Sequence, residues 1–150
     1  MNMILEKTDE LFMREALKEA HKAFNKNEVP IGAVIVFDGQ VIARAHNLTE
    51  QLNDVTAHAE MQAFTAAADY LRGKYLKECT LYVTIEPCVM CSGAAYWTQL
   101  KRVVFGAKDE KRGVSNLGIE LLHPKTTLTS GVLKNECSKL MSVFFGAKRS

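Results

Sequence analysis

The stretch TLYVTIEPCVMC, residues 80–91, joins the two patterns that decide the fold. Its first six residues are rich in β-branched and aromatic side chains and predict a buried β-strand. Pro87 then predicts the first position of an α-helix that runs to about Gln99, because its fixed φ suits the first turn. The apolar run over residues 102–107 predicts a further strand. A strand, a helix and a strand in this order favour a crossover connection between parallel strands.

Upstream of this unit, the hydrophobic pattern predicts two helices and a hairpin. Apolar side chains three to four residues apart predict a helix over residues 8–26, starting near a Thr8 cap. Residues 31–37 and 40–46 predict two strands, and Asp38-Gly39 between them is typical of a type I′ turn. These strands should therefore be antiparallel neighbours. A second helix is predicted over residues 57–71, which are rich in Ala, Met and Leu.

Downstream, the pattern is weaker. Residues 108–121 predict a loop, residues 126–129 a short fifth strand, and a last helix follows Gly131 and runs to about Phe145. No repeat, low-complexity segment or linker divides the chain. Since 150 residues suffice for one buried core, we expect a single domain over residues 1–150.

Composition narrows the cellular location. No apolar run approaches the roughly 20 residues of a membrane span, so we predict no membrane segment. The N-terminal residues Met1–Lys7 lack the apolar core of a signal peptide, and we expect a cytoplasmic protein. In a reducing compartment the four cysteines are expected to be metal ligands or buried thiols rather than disulfides.

The formal net charge of +2 hides an uneven distribution. Residues 1–100 hold 9 basic and 13 acidic side chains, whereas residues 101–150 hold 10 basic and 4 acidic ones. A basic last third suggests a polyanionic partner, although solvated helix faces give the same asymmetry. Five of these residues either hold phosphates or solvate a loop and a strand end: Lys101, Arg102, Lys108, Lys111 and Arg112.

Two short motifs supply candidate metal ligands. Cys88 and Cys91 lie three residues apart at the start of a predicted helix, so both thiols can reach one ion. A helix N-terminus also stabilises thiolates. His58, at the start of the preceding helix, adds a nitrogen ligand. Two cysteines and one histidine suit a catalytic zinc, because three protein ligands leave one position open for water.

Glu60 is the candidate acid and base. It lies two residues beyond His58, so on a regular helix the two side chains would point to different faces, and we expect no fourth ligand. A carboxylate near the ion suits transfer of a proton from water to the substrate and the leaving group. We therefore predict hydrolytic deamination of an aminopurine or aminopyrimidine. The alternative for the two cysteines is a redox or buried pair. Taken alone, His58 would favour a surface histidine and Glu60 a solvated carboxylate at a helix start, and only the combination of motifs reverses these interpretations.

The combination of His58-Ala59-Glu60 with Pro87-Cys88-Val89-Met90-Cys91 resembles the signature of the zinc nucleobase deaminase superfamily, which includes the cytidine deaminases. Within it, nearly the whole sequence resembles the bacterial tRNA adenosine deaminases. The segments that carry the resemblance are residues 29–34, Asn47, and residues 56–60, 81–91, 103–107 and 144–145.

The resemblance implies a three-layer α/β/α cytidine-deaminase-like fold, with a five-stranded mixed sheet and helices on both faces. It also implies a homodimer, one catalytic zinc ion per chain and a hydrolase acting on a cyclic amidine. The implied reaction converts adenosine to inosine at the wobble position of the tRNA anticodon loop. Asn47 is implied to contact the target base, although the residues alone favour a role in capping a turn after the second strand.

Two departures from this resemblance bear on the substrate. Ala95-Tyr96-Trp97 resembles the same stretch of small guanine deaminases, and Gly146-Ala147 interrupts a usually basic end. The alternative is therefore a small-molecule deaminase acting on guanine, cytosine or a nucleoside. A structural zinc or redox module is a further, non-enzymatic alternative.

Several other side chains have two interpretations. Tyr96 and Trp97 are expected in the core or at a dimer interface, because they lie at apolar spacing on a helix. Phe144 and Phe145 belong either to the core or to the wall of a pocket around an unstacked base. Outside these pairs, we expect no ligand role for His46 and buried-thiol roles for Cys79 and Cys137.

Overall fold

A computed structural model describes residues 3–149. Met1, Asn2 and Ser150 lie outside the described residues, and so do the first two positions of the N-terminal segment Met1–Lys7. The helices are α1 Met3–Asn25, α2 Ala59–Leu71, α3 Val89–Thr98 and α4 Lys134–Arg149. The strands are β1 Gly32–Phe37, β2 Gln40–His46, β3 Cys79–Ile85, β4 Arg102–Ala107 and β5 Thr127–Thr129, and a 3-10 turn covers Val114–Leu117. Of the helices in this part of the chain, none has the length and apolar character needed to cross a membrane.

The five strands form one mixed sheet in the order β2-β1-β3-β4-β5. Strand β1 pairs antiparallel with both β2 and β3, and the β3–β4 and β4–β5 pairs are parallel. The predicted hairpin is confirmed: Asp38 and Gly39 both have positive φ, 52° and 75°, as a type I′ turn requires. The predicted crossover is confirmed as well, with α3 joining the parallel strands β3 and β4.

Helices cover both faces of the sheet, so the expected three-layer arrangement is confirmed. Alternate residues of the central strands point to opposite faces, as the two-residue period of a strand requires. The core against α2 and α3 includes Ile35, Leu81, Val103, Ala63, Phe64 and Ala95. The core against α1 and α4 includes Val34, Tyr82, Val104, Met13, Leu17 and Cys137. Cys79 and Cys137 are both buried, one in each core, which confirms them as core thiols.

Helix α1 is fixed to the sheet by a close approach and by a buried ion pair. A Cβ atom at Gly32 would overlap the Ala16 carbonyl oxygen, so only glycine lets α1 lie this close to β1. The buried Asp9 carboxylate accepts a hydrogen bond from the Tyr82 hydroxyl at 2.8 Å and two from the Arg102 guanidinium at 2.7 and 2.6 Å. Arg102 therefore pairs with a buried side chain and is not available to hold a phosphate, so that expectation is wrong for this residue.

Three predicted helix bounds are wrong: the start of α1, the start of α3 and the end of α4. Helix α1 begins at Met3, and Thr8 lies inside it, with its hydroxyl bonded to the Ile4 carbonyl at 2.9 Å. Helix α3 begins at Val89, so Pro87 precedes the helix and does not occupy its first position. Helix α4 passes through Gly146 and continues to Arg149, because a single glycine weakens a helix without ending it.

Candidate active site

The starts of α2 and α3 bring the predicted ligands together. His58 and Cys88 are the N-cap residues of these helices, both with extended backbones, and neither side chain caps its own helix. An N-cap side chain normally folds back onto the first turn. Here both side chains point instead toward each other. The His58 Nδ1 atom lies 3.6 Å from the Cys88 Sγ atom and 3.5 Å from the Cys91 Sγ atom.

This donor set fits a zinc ion. One ligand atom from each of His58, Cys88 and Cys91 lies within 4.8 Å of the other two. Ligands about 2.0–2.3 Å from a tetrahedral zinc lie about 3.5 Å from one another, which matches the observed separations. Soft thiolates with an imidazole are also the ligands that zinc prefers over calcium or magnesium. The three side chains therefore suit one zinc per chain.

The two cysteines differ sharply in their affinity for a proton. The hydrogen bond from the Cys91 thiol lowers the pKa of Cys88 to about 4, and the bond to His58 acts in the same direction against the effect of burial. The pKa of Cys91 is raised, first by its hydrogen bond to Cys88 and then by burial. The pKa of His58 is raised, chiefly because its ring bonds to the Cys88 thiolate. Of the two cysteines, Cys88 is thus the one that is deprotonated at neutral pH.

Glu60 lies beside these ligands in the first turn of α2. Only 4% of the residue is exposed, and the pKa of its carboxyl is raised to about 7, chiefly by burial and also by the charge of Cys88. Its hydrogen bond with the Cys91 thiol opposes that rise. A two-residue spacing on a helix would separate Glu60 from His58, but His58 stands before the helix, where that spacing rule does not apply. A group with such a pKa can exchange protons at neutral pH.

Asn47, the predicted substrate contact, follows β2 directly. The residue is 5% exposed, and its backbone N–H donates to the Ile31 carbonyl at 3.1 Å. Its side-chain amide donates to the Thr49 hydroxyl at 3.3 Å. This bond joins two side chains and does not cap a backbone turn, and the amide oxygen takes no part in it. Asn47 can therefore accept a hydrogen bond from a substrate while its amide nitrogen remains fixed.

Gln62, which no sequence pattern singles out, connects the residue before Asn47 to the residue before His58. Its side-chain amide donates to the His46 carbonyl at 2.9 Å and to the Ala57 carbonyl at 3.1 Å. These two residues directly precede Asn47 and His58 in the chain. The amide thus fixes the end of β2 against the start of α2 and brings the candidate substrate contact close to the metal ligand.

The predicted basic residues differ in whether they lie near the ligand group. Arg112 lies close enough to His58 for its positive charge to oppose protonation of the imidazole. Its loop is held by the buried Glu86, whose carboxylate accepts from the Asp109 N–H at 3.2 Å and the Ser115 N–H at 2.9 Å. Exposed side chains also include Lys101, Lys108 and Lys111. Arg112 is therefore the predicted basic residue that the fold brings to the site.

The aromatic pairs occupy different surroundings. Trp97 is 75% exposed and Tyr96 41%, so the structure excludes a core role for Trp97 and leaves a surface that a partner could cover. Phe144 is buried and packs edge-on against Phe24, with ring centroids 5.9 Å apart. With the partly exposed Phe145, it lines a cavity of about 660 Å³. Phe144 therefore belongs to both the core and a cavity wall.

His46 is turned away from the ligand group. Its ring nitrogens lie 3.3 Å from Glu19 and 3.2 Å from the Lys26 amine. Both partners are on or next to α1, on the other side of the sheet from the cysteines. His46 therefore lies apart from the ligand group.

Comparison with known proteins gives the same chemistry. Residues 6–107 match the cytidine and deoxycytidylate deaminase zinc-binding region. A tRNA-specific adenosine deaminase of Bacillus subtilis is 49% identical over 142 residues, which cover 91% of this chain and 88% of that protein. A tRNA-specific adenosine deaminase of Aquifex aeolicus is 44% identical, over 94% of this chain and 96% of that protein.

A solved structure from a study of A-to-I editing by tRNA:A34 deaminases at the wobble position of transfer RNA has the same fold. It superposes with a TM-score of 0.80 and 42% identity, over 86% of this chain and 97% of that one. The guanine deaminase of Bacillus subtilis also superposes, with a TM-score of 0.65 and 36% identity over 81% of this chain. The coverage, identity and TM-score are all higher for the first structure.

Proposed function

The chain belongs to the cytidine and deoxycytidylate deaminase family with a zinc-binding region, and from this premise we propose that it converts adenosine to inosine at the wobble position of tRNA. The observation that carries the proposal is the ligand group His58, Cys88 and Cys91 with the buried Glu60 beside it. The similarity to tRNA-specific adenosine deaminases over nearly the full length of both chains supports the substrate.

The proposed chemistry divides between the metal and Glu60. Zinc, when bound, supplies a Lewis acid with an open position that lowers the pKa of water toward neutrality. Glu60 takes a proton from the attacking water, and the oxygen bonds to the ring carbon that bears the amino group. The carboxyl returns this proton to the adjacent ring nitrogen, then takes the second proton from the new hydroxyl group and passes it to the amine as the carbon–nitrogen bond breaks. Water and adenosine thus give inosine and ammonia.

The surroundings of Glu60 suit this role. Burial disfavours the carboxylate and keeps its pKa near neutrality, so the group can both accept and return a proton. We place Asn47 as a substrate contact, because its amide nitrogen is held by Thr49 while its oxygen is free to accept from the base. We assign Arg112 to an RNA phosphate, because its charge lies near His58.

A tRNA anticodon loop is suited to such a site. Its bases are already single-stranded, so the energy needed to turn one of them into a small pocket is low. The excess of basic residues in the last third of the chain favours a polyanion over a neutral free base.

A small-molecule deaminase is the second candidate. The observation in its favour is the Tyr96-Trp97 pair, together with the 36% identity to a guanine deaminase. The two candidates respond differently to salt. Binding through RNA phosphates weakens steeply as salt rises, whereas binding of a neutral base changes little.

We also propose a homodimer, supported by apolar side chains exposed on α3, namely Val89 at 54%, Tyr96 and Trp97. Sedimentation of Trp97→Glu tests the dimer, since a charge at the centre of the interface should give monomers. An unchanged dimer would contradict this interface.

The continuous five-stranded sheet supports a single deaminase domain over residues 1–150. A tRNA substrate favours the cytoplasm.

The decisive test of function is incubation of the zinc-loaded protein with an anticodon stem-loop that bears a wobble adenosine, next to guanine, cytosine and adenosine. We expect inosine in the stem-loop and a rate that falls as salt rises. A stem-loop with guanosine at the wobble position is the matched control. Turnover of a free base or nucleoside without inosine in the RNA would overturn the proposal.

A further inference from the structure

Glu28 is a buried acid outside the proposed chemistry. It lies between α1 and β1 and is 1% exposed. One carboxylate oxygen accepts from the Glu50 backbone N–H at 3.0 Å, and the other accepts from the Gln51 backbone N–H at 2.7 Å. Within residues 3–149 it has no ion-pair partner. Since a buried carboxylate is costly unless it is hydrogen-bonded, these two N–H groups are what makes its burial tolerable.

The two N–H groups belong to the loop that connects β2 to α2. Asn47 precedes this loop and His58 follows it. The ends of the loop meet, because the Leu48 N–H donates to the Ala57 carbonyl at 3.0 Å. Its middle, including Gln51, is exposed. Glu28 is thus the buried side chain that fixes the middle of a loop whose two ends are a candidate substrate contact and a metal ligand.

We propose that Glu28 is a positioning residue: by holding residues 50–51 it fixes the loop, and through the loop it fixes the side chain of Asn47 toward the base. This inference rests on the proposed function for the identity of the base. Gln62 holds the ends of the same loop from the side of α2. The loop is therefore clamped at its ends and at its middle by side chains that do not touch the substrate.

The chemistry of the clamp requires a carboxylate. Two convergent N–H donors need two acceptor atoms, and a carboxylate offers one on each oxygen. The amide of glutamine has the same shape but offers only one acceptor, and its NH₂ group would face the second N–H. Glu28→Gln therefore removes one acceptor with almost no change in volume.

A suitable control for this substitution is Asp9→Asn. Asp9 is also a buried carboxylate that accepts hydrogen bonds, but its partners are Tyr82, which lies in the core against α1, and Arg102. The control removes a charge from an equally buried position and lowers stability without touching the loop. Any effect of Glu28→Gln that comes from stability alone should appear in Asp9→Asn as well.

Two measurements test the proposal on zinc-loaded protein. The first is hydrogen exchange of the Glu50 and Gln51 amides, which we expect to be about tenfold faster or more in Glu28→Gln and unchanged relative to global stability in Asp9→Asn. The second is the stem-loop rate. We expect kcat/KM to fall about tenfold in Glu28→Gln, with zinc content unchanged, and to stay within about twofold in Asp9→Asn.

A double substitution identifies the path of the effect. If Glu28 acts through Asn47, then Glu28→Gln should cost less than about twofold in an Asn47→Ala background. Additive losses would overturn positioning through Asn47, and unchanged exchange at residues 50–51 would overturn the clamp itself. The exchange result needs no substrate. If the stem-loop is not deaminated, the proposed function fails, and the same cycle measured on the base that is turned over decides the role of Glu28.

Discussion

The metal-ligand group and the loops beside it are built in opposite ways. The ligands come from the first residues of two helices, and each motif is only a few residues long. The loops are held by buried carboxylates that bond to backbone N–H groups 22 to 29 residues away, Glu28 on one side and Glu86 on the other. Each half of the reactive centre is thus specified by the side-chain types of one short motif, whereas its rim is specified by long-range bonds to the backbone.

The largest effect should follow removal of zinc, which tests the centre alone. Chelation should abolish deamination and expose Cys88 to iodoacetamide, while Cys79 and Cys137 stay unmodified, since burial raises their pKa values to about 11 and 12. Because the pKa of Cys88 is lowered to about 4, its alkylation rate should be flat from pH 6 to 8. An ordinary thiol, with a pKa of about 8.5, would instead react faster as pH rises through this range.

Mass spectrometry of the alkylated peptides measures this outcome, and the zinc-loaded protein is the control, in which Cys88 should be protected. If the alkylation rate of Cys88 rises tenfold per pH unit, Cys88 behaves as an ordinary thiol, which would contradict its lowered pKa. The loop carboxylates take no part in this measurement, so Glu28→Gln should leave it unchanged.

The next effect concerns proton transfer at the centre. Glu60→Gln should lower kcat by at least about 10²-fold with zinc content unchanged, because the amide cannot take up a proton. In the unsubstituted protein kcat/KM should fall as pH drops, since protonated Glu60 is inactive. Burial raises its pKa to about 7 and the zinc charge lowers it, so the fall should lie at or below pH 7.

Exposed Glu78→Gln is the matched control for this substitution and should leave the rate within about twofold. Retention of more than a tenth of the activity in Glu60→Gln would contradict the role of Glu60 as the acid and base. Loss of zinc in that variant would instead make Glu60 part of the metal-binding set.

The difference between centre and rim also explains what the sequence could predict. The strands and the crossover follow from local patterns, because each depends on residue type at fixed spacing. The approach of His58 to Cys88 and Cys91 was expected from the resemblance of the two motifs to the deaminase signature. The N-cap positions were missed for a physical reason. Proline has a φ near −65° both in a first helical turn and in extended backbone, so Pro87 does not distinguish the two.

The rim could not be predicted from the same patterns. Glu28 and Glu86 bond to backbone N–H groups, which every residue except proline supplies, so their partners place no demand on residue type. Gln62 likewise donates to carbonyls. A bond of this kind leaves no pair of side chains in the sequence to recognise. The expectation for Arg102 was wrong for a related reason. A basic residue at a strand end suggests an exposed charge, and its pairing with the buried Asp9 is a tertiary contact that local sequence does not show.

The smallest expected effect is on the rim and separates Arg112 from the other basic residues. Arg112→Ala should raise KM for the stem-loop several-fold and leave kcat nearly unchanged, because a phosphate contact contributes to binding before chemistry begins. The salt dependence should become shallower by about 0.7 in the slope of log K against log salt, the value for one phosphate contact on a single strand. The measurement is KM for the stem-loop at several salt concentrations.

Lys101→Ala is the matched control, because Lys101 is also exposed and basic but lies at the α3–β4 connection. It should change neither KM nor the salt slope if the loop beyond β4 is what meets the RNA. Equal effects of the two substitutions would mean that charge acts diffusely over the last third of the chain. In that case the Glu86 bonds, which hold the loop of Arg112 in place, would serve stability and not recognition.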